Sequence, residues 1–165
     1  MPRRRNQPPV VERTPDGYVV HIVRQESDLV LSLLDELRGL LQSDDPEHEP
    51  LKRRLFPPAY HLAEHAEHDA EYQRFMREEL VKSRTSAIDS LHELLTEGRP
   101  MDDTAMLGFM QSVNAVRLVL GTLLDVGEYH DPNSINVDDP LFAEHQLYTY
   151  LSWLLDHAVN ATMAD

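Results

Sequence analysis

The sequence predicts a mainly α-helical fold, a bundle of four to five helices preceded by a short N-terminal β-hairpin. Three observations predict it. Apolar residues recur at spacings of three and four in several long segments after residue 26, the mark of helices with one buried face. Two β-branched runs flank a Thr-Pro-Asp-Gly turn signal between residues 10 and 23. The chain has 165 residues, one domain's worth, enough to bury roughly two-thirds of its unfolded surface without disulfide or metal staples.

Residues 1–9 hold three arginines and three prolines with little apolar content, and read as a flexible basic arm; residues 10–165 read as a single helical domain with an N-terminal β-ribbon. Val10-Val11 and Tyr18 to Val23 are the strand candidates, with Pro15 presetting φ in the turn and Gly17 accepting a positive φ. Two short strands are marginal alone, so this ribbon must lie against something else. From Glu26, Leu29, Val30, Leu33, Leu34, Leu37, Leu40 and Leu41 form one stripe, which Ser43-Asp44-Asp45-Pro46 ends. Leu51 to Phe56 supports one or two helical turns before Pro57-Pro58. A longer helix follows, with Tyr72, Phe75, Met76, Leu80, Ala87, Ile88, Leu91, Leu94 and Leu95 on its stripe and Gly98-Arg99-Pro100 as its stop.

Asp102 or Asp103 then starts a helix where a short acidic side chain accepts free N–H groups of the first turn. Residues 113–124 are apolar nearly all round, which predicts the central helix of the bundle. Residues 127–140 read as a polar loop. The last helix carries Leu141, Phe142, Leu147, Tyr148, Leu151, Leu154, Leu155 and Val159, with Trp153 beside the stripe. The aromatic residues, including Phe56, Tyr60, Tyr72, Phe75, Phe109 and Tyr150, mostly fall on such stripes and need no cofactor to explain them.

Charge narrows the function classes. Fifteen Lys and Arg against 29 Asp and Glu give a net charge of −14, which opposes a broad face for nucleic acid or anionic lipid and suits a basic protein partner. The imbalance is uneven, because residues 1–13 carry +3 and the remainder −17. With no cysteine there are no disulfides, thiolate metal sites or thiol nucleophiles. No stretch approaches the roughly 20 apolar residues of a bilayer span, so a cytoplasmic protein with no membrane partner is expected.

Candidate sites are few. His61, His65 and His68 stand at helical spacings of four and three, so their imidazoles share a face able to hold a divalent ion. Their segment is poor in apolar residues and lacks the HExxH spacing, which favours a polar helix surface over a metal site. Asn114 and Arg117 share one face inside the most apolar helix. A buried guanidinium costs several kcal/mol unless its donors are satisfied, so a polar network that fixes helix register is expected, with Glu or Asp of the long helix as partner. A ligand-binding arginine facing a cleft is the alternative. Arg3, Arg4 and Arg5 are positioned to reach DNA as an arm, joined by Arg53 and Arg54; three charges are few, and a solvated tail is the favoured reading. There is no GxSxG, no phosphate-binding glycine loop and no other catalytic motif, so no enzymatic activity and no cofactor are expected.

Several segments together resemble a domain-of-unknown-function family of actinomycetes, encoded beside the ClpS adaptor and often labelled transcriptional regulators of the oxidative-stress (AosR) type. The pieces are Asp16-Gly17 in the opening turn, Arg54-Leu55-Phe56-Pro57 with Ala59-Tyr60, Glu71 to Phe75, Asn114 to Leu124, and Tyr148 to Leu155. Where the family pattern has an acid after the Asn and a basic residue after the Thr, this chain has Ala115 and Leu123. The resemblance implies transcriptional or stress-response regulation. A thiol-sensing mechanism has no cysteine to run on here, and nothing marks the six methionines as a switch. No basic recognition helix is evident. The expected function is therefore an acidic, non-enzymatic interaction domain that acts on a basic surface of the transcription machinery. An adaptor linked to Clp-type proteolysis is the runner-up and direct DNA binding through the arm the third reading; a homodimer through an amphipathic helix stays open.

Overall fold

In a computed structural model, the structure describes residues 7–56, 66–127 and 131–164, the side chains of 66–69 excepted. Strands β1 (Val11–Thr14) and β2 (Gly17–Val20) form an antiparallel hairpin. Among the described residues five α-helices follow: α1 (Arg24–Gln42), α2 (Glu49–Leu55), α3 (Ala66–Glu97), α4 (Asp103–Leu123) and α5 (Phe142–Met163). Short 3-10 turns at Pro46–His48 and Pro132–Ser134 occupy the connections before α2 and α5.

The helix ends follow from local chemistry. Glu26 reaches back to accept the Val23 N–H at 3.1 Å at the start of α1. Asp102 is the N-cap of α4, where its Oδ1 accepts the Ala105 N–H at 2.7 Å. Gly98 ends α3 with φ +62°, and the next residue's N–H returns to the Leu94 carbonyl at 3.0 Å.

Val30 and Leu34 of α1, Ile88 and Leu91 of α3, Met106, Phe109 and Val113 of α4, and Leu151 and Leu154 of α5 make the fully buried centre. Each such side chain contributes roughly 1.5–3 kcal/mol through burial. α4 packs against α1, α2, α3, α5 and β2, which makes it the central helix. The support the hairpin needs comes from the chain around Met101, which pairs with Tyr18 through N–H donations of 2.8 Å and 2.7 Å in the two directions, and from the end of α5, where the carbonyl of the C-cap Ala164 accepts from Arg13. Polar contacts clasp α1 to α3: Arg38 pairs with Asp89, and the His92 ring lies 2.8 Å from Asp35 Oδ1.

Three expectations need correction. First, the long helix does not bury its whole stripe. Tyr72, Phe75, Met76 and Leu80 are exposed, Phe75 by 59%, because α3 packs on the core only from Val81 onward, while Arg77 in its earlier turns pairs with Glu49 of the short α2. Second, the apolar half of α4 is not its deepest part. Buried residues concentrate between Met106 and Val116, and the turns after them are only half-covered, leaving Leu123 63% exposed. Third, α4 does have the length and composition of a membrane span. A core helix passes the same test, and α4 is surrounded by four helices and a strand.

Candidate functional site

Arg117 lies half-buried between α4 and α5. Its Nε and Nη2 donate to Asn114 Oδ1 at 3.4 Å and 3.2 Å, and Nη1 donates to Ser152 Oγ at 3.5 Å. The guanidinium carbon stands 5.7 Å from the centroid of the Tyr148 ring, within cation–π range. One turn further on, α4 carries Gly121, where an added Cβ would sit 3.2 Å from Tyr148 Cε2, so the bare backbone makes room for that ring. The two segments Asn114 to Leu124 and Tyr148 to Leu155 therefore meet face to face.

The expected carboxylate partner from the long helix is not what the structure shows. Among the described residues, Arg117 meets an amide, a hydroxyl and an aromatic face, because residue 117 lies on the side of α4 that faces α5. Its hydrogen bonds are long and its partners neutral, so each contributes little. Arg117→Met is expected to change stability by about 1 kcal/mol or less in urea denaturation. A loss beyond about 3 kcal/mol would reveal a buried charge network instead.

Arg3, Arg4, Arg5, His61 and His65 lie outside the described residues, as does the side chain of His68. Among the described residues no group of three metal-ligating side chains converges. Arg53 and Arg54 are exposed on α2, and Arg53 lines a groove against α3. Tyr150 on α5 has its pKa pushed up to about 12, first by burial and then by the negative charge of Glu26. It remains protonated at neutral pH and does not supply a phenolate base.

Sequence reasoning missed a cleft at the under-covered end of α4. Leu33, Leu37 and Leu40 of α1, Leu51 of α2, and Leu120 and Leu123 of α4 are among the walls of a cavity of about 210 Å³. Glu36 and His48 are the polar residues on its rim. Acidic residues cluster in the chain beside it: Asp44, Asp45 and Glu47 immediately precede His48, and Asp125 follows Leu123 by two residues; all four are exposed. Lys52, next in the chain to the lining residue Leu51, donates to the Ser43 carbonyl. An apolar slot with a negative rim can take an apolar side chain from a positively charged segment. The signal was present in the sequence, since residues 118–120 and 123–124 supply more apolar surface than one helix face needs.

The family model for a domain of unknown function, DUF2017, matches residues 5–162. No curated protein and no solved structure matches the chain. With the hairpin, the Arg117 junction and the apolar cleft all inside the matched span, the chain belongs to DUF2017, a domain family of unknown function.

Proposed function

We propose that this protein is a non-enzymatic interaction domain that takes a basic, amphipathic segment of another protein into the cleft between α1 and α4. The observation that carries this reading is a leucine-lined cavity at one end of the bundle with Glu36 in its lining, while Asp44, Asp45 and Glu47 adjoin the lining residue His48 in the chain and Asp125 lies two residues after the lining residue Leu123. Apolar contact supplies affinity in such a cleft, and the negative rim supplies partner choice and association rate. The resemblance to regulators of the oxidative-stress type suggests the transcription machinery of an actinomycete cytoplasm as the setting. The same chemistry suits an adaptor that presents itself to a basic surface of a Clp ATPase.

A pull-down from native extract with the wild type and with Glu36→Lys/Leu123→Ser as baits tests the proposal. Both positions are exposed, so the fold is expected to stay within about 1 kcal/mol of wild type. Capture of a basic partner is expected to fall at least about tenfold in the variant, the effect of losing one apolar anchor and reversing one charge. The identity of the captured protein separates transcription from proteolysis. Equal capture by both baits, or tight operator binding by the purified protein alone at physiological salt, would overturn it.

A further inference from the structure

We infer that the groove between α2 and the first half of α3 is a second docking site, one for a short acidic protein segment carrying apolar side chains. The groove has a volume of about 780 Å³, and among the described residues four guanidiniums, those of Arg53, Arg74, Arg77 and Arg84, line it with one carboxylate, Glu49. That carboxylate is already occupied. Arg77 Nη1 donates to Glu49 Oε1 at 2.8 Å, Arg53 Nε lies 3.8 Å from the same oxygen, and the hydrogen bond from Arg77 holds the Glu49 carboxyl below its ordinary pKa. The described lining therefore carries a surplus of three positive charges in a chain whose total is −14.

Arg84 is the most informative of the four. Burial pushes its pKa down, yet its hydrogen bond goes to a neutral group, Gln111 Oε1, at 2.8 Å. Among the described residues neither Arg84 nor Arg74 has a carboxylate within ion-pair distance. A partly desolvated guanidinium with a neutral partner gains most when a carboxylate arrives, because the charge-assisted bond offsets a desolvation cost already incurred in the free protein.

Shape and polarity decide the class of ligand. Leu55, Phe56, Met76 and Leu80 supply apolar wall beside the arginines, and Met76 and Leu80 are exposed. Along α3 the lining runs from Ala70 to Arg84, about 21 Å at 1.5 Å per residue, the reach of roughly six extended residues. That length and the apolar wall fit a peptide better than a lone phosphate. A nucleic acid strand long enough to leave the groove would run into the acidic remainder of the surface, whereas a short acidic segment stays within it.

Fluorescence anisotropy on the full chain tests this with three labelled probes that span the groove: a Glu/Leu peptide, its Gln/Leu counterpart and a single-stranded oligothymidylate. The Glu/Leu peptide is expected to bind at least about tenfold more tightly than the Gln/Leu one, and Arg74→Glu and Arg84→Gln are each expected to weaken it by about tenfold. Arg74 is exposed, so its variant stays informative even where Arg84→Gln perturbs the fold. Equal binding of the two peptides, absence of peptide binding, tighter binding of the oligothymidylate, or self-association that Arg74→Glu abolishes would each overturn the inference. Glu36 and Leu123 lie outside this groove, so failure of the α1–α4 cleft leaves it standing.

Discussion

Phe109→Ala is expected to destabilise the protein by about 3–5 kcal/mol, the largest effect of any single truncation proposed here, measured as a lower urea midpoint with an unchanged slope. Phe109 is 0% exposed and sits on α4 among Ile88 and Leu91 of α3, Leu34 of α1 and Leu151 and Leu154 of α5 in one core cluster. Truncation removes the transfer free energy of a benzyl group and leaves a cavity that helices held on several sides cannot collapse into. Against a net stability of roughly 5–15 kcal/mol for a domain, that approaches loss of the fold. Phe75→Ala is the matched comparison. The same chemistry at a side chain 59% exposed is expected to stay within about 0.5 kcal/mol. Equal costs at the two positions would show that the first half of α3 is buried in solution and would remove the groove as a docking surface.

The second large effect is expected at Gly17, where Gly17→Ala should cost about 2–4 kcal/mol from backbone strain and lost hydrogen bonds together. Its φ is +128°, a conformation that side chains rarely adopt, and an added Cβ would sit 2.3 Å from the Met101 carbonyl oxygen. That oxygen accepts the Tyr18 N–H, and the Met101 N–H returns to the Tyr18 carbonyl. The methyl group therefore pushes apart the bridge that seats the hairpin on the bundle, with Tyr18 and Met101 both buried beneath it. Gly39→Ala separates this mechanism from a general effect of glycine. Gly39 lies in α1 with no atom within 4 Å of its added Cβ, so that substitution is expected to stabilise by about 0.5–1 kcal/mol. Urea denaturation of both variants is the measurement, and a Gly17→Ala protein as stable as wild type would mean the hairpin contributes nothing to the cooperative unit.

The opposite charges of the two proposed docking surfaces reconcile features that conflict when only the net charge is considered. On these proposals, an acidic chain with a basic groove engages a basic segment at the α1–α4 cleft and an acidic one between α2 and α3. Arg53 lines the second of these surfaces.

Local order was readable in the residues themselves. Asp102 as a helix start, Gly98 as a helix stop, Ser43 to Pro46 as a break and Gly17 as the positive-φ turn residue act within a few positions, so the chain carries them without its neighbours. Helical periodicity likewise determined the element types and the orientation of each apolar stripe. It did not determine which stripes are covered. Tyr72, Phe75, Met76 and Leu80 repeat at the same spacing as Ile88 and Leu91, and only the packing of α1 and α4 against the later turns of α3 separates an exposed face from the core. The cleft at Leu120 and Leu123 and the convergence of Arg74, Arg77 and Arg84 with Arg53 arose in the same way. A stripe records that a face is apolar or charged; whether another element reaches it depends on the lengths and crossings of helices distant in sequence, which only the tertiary structure decides.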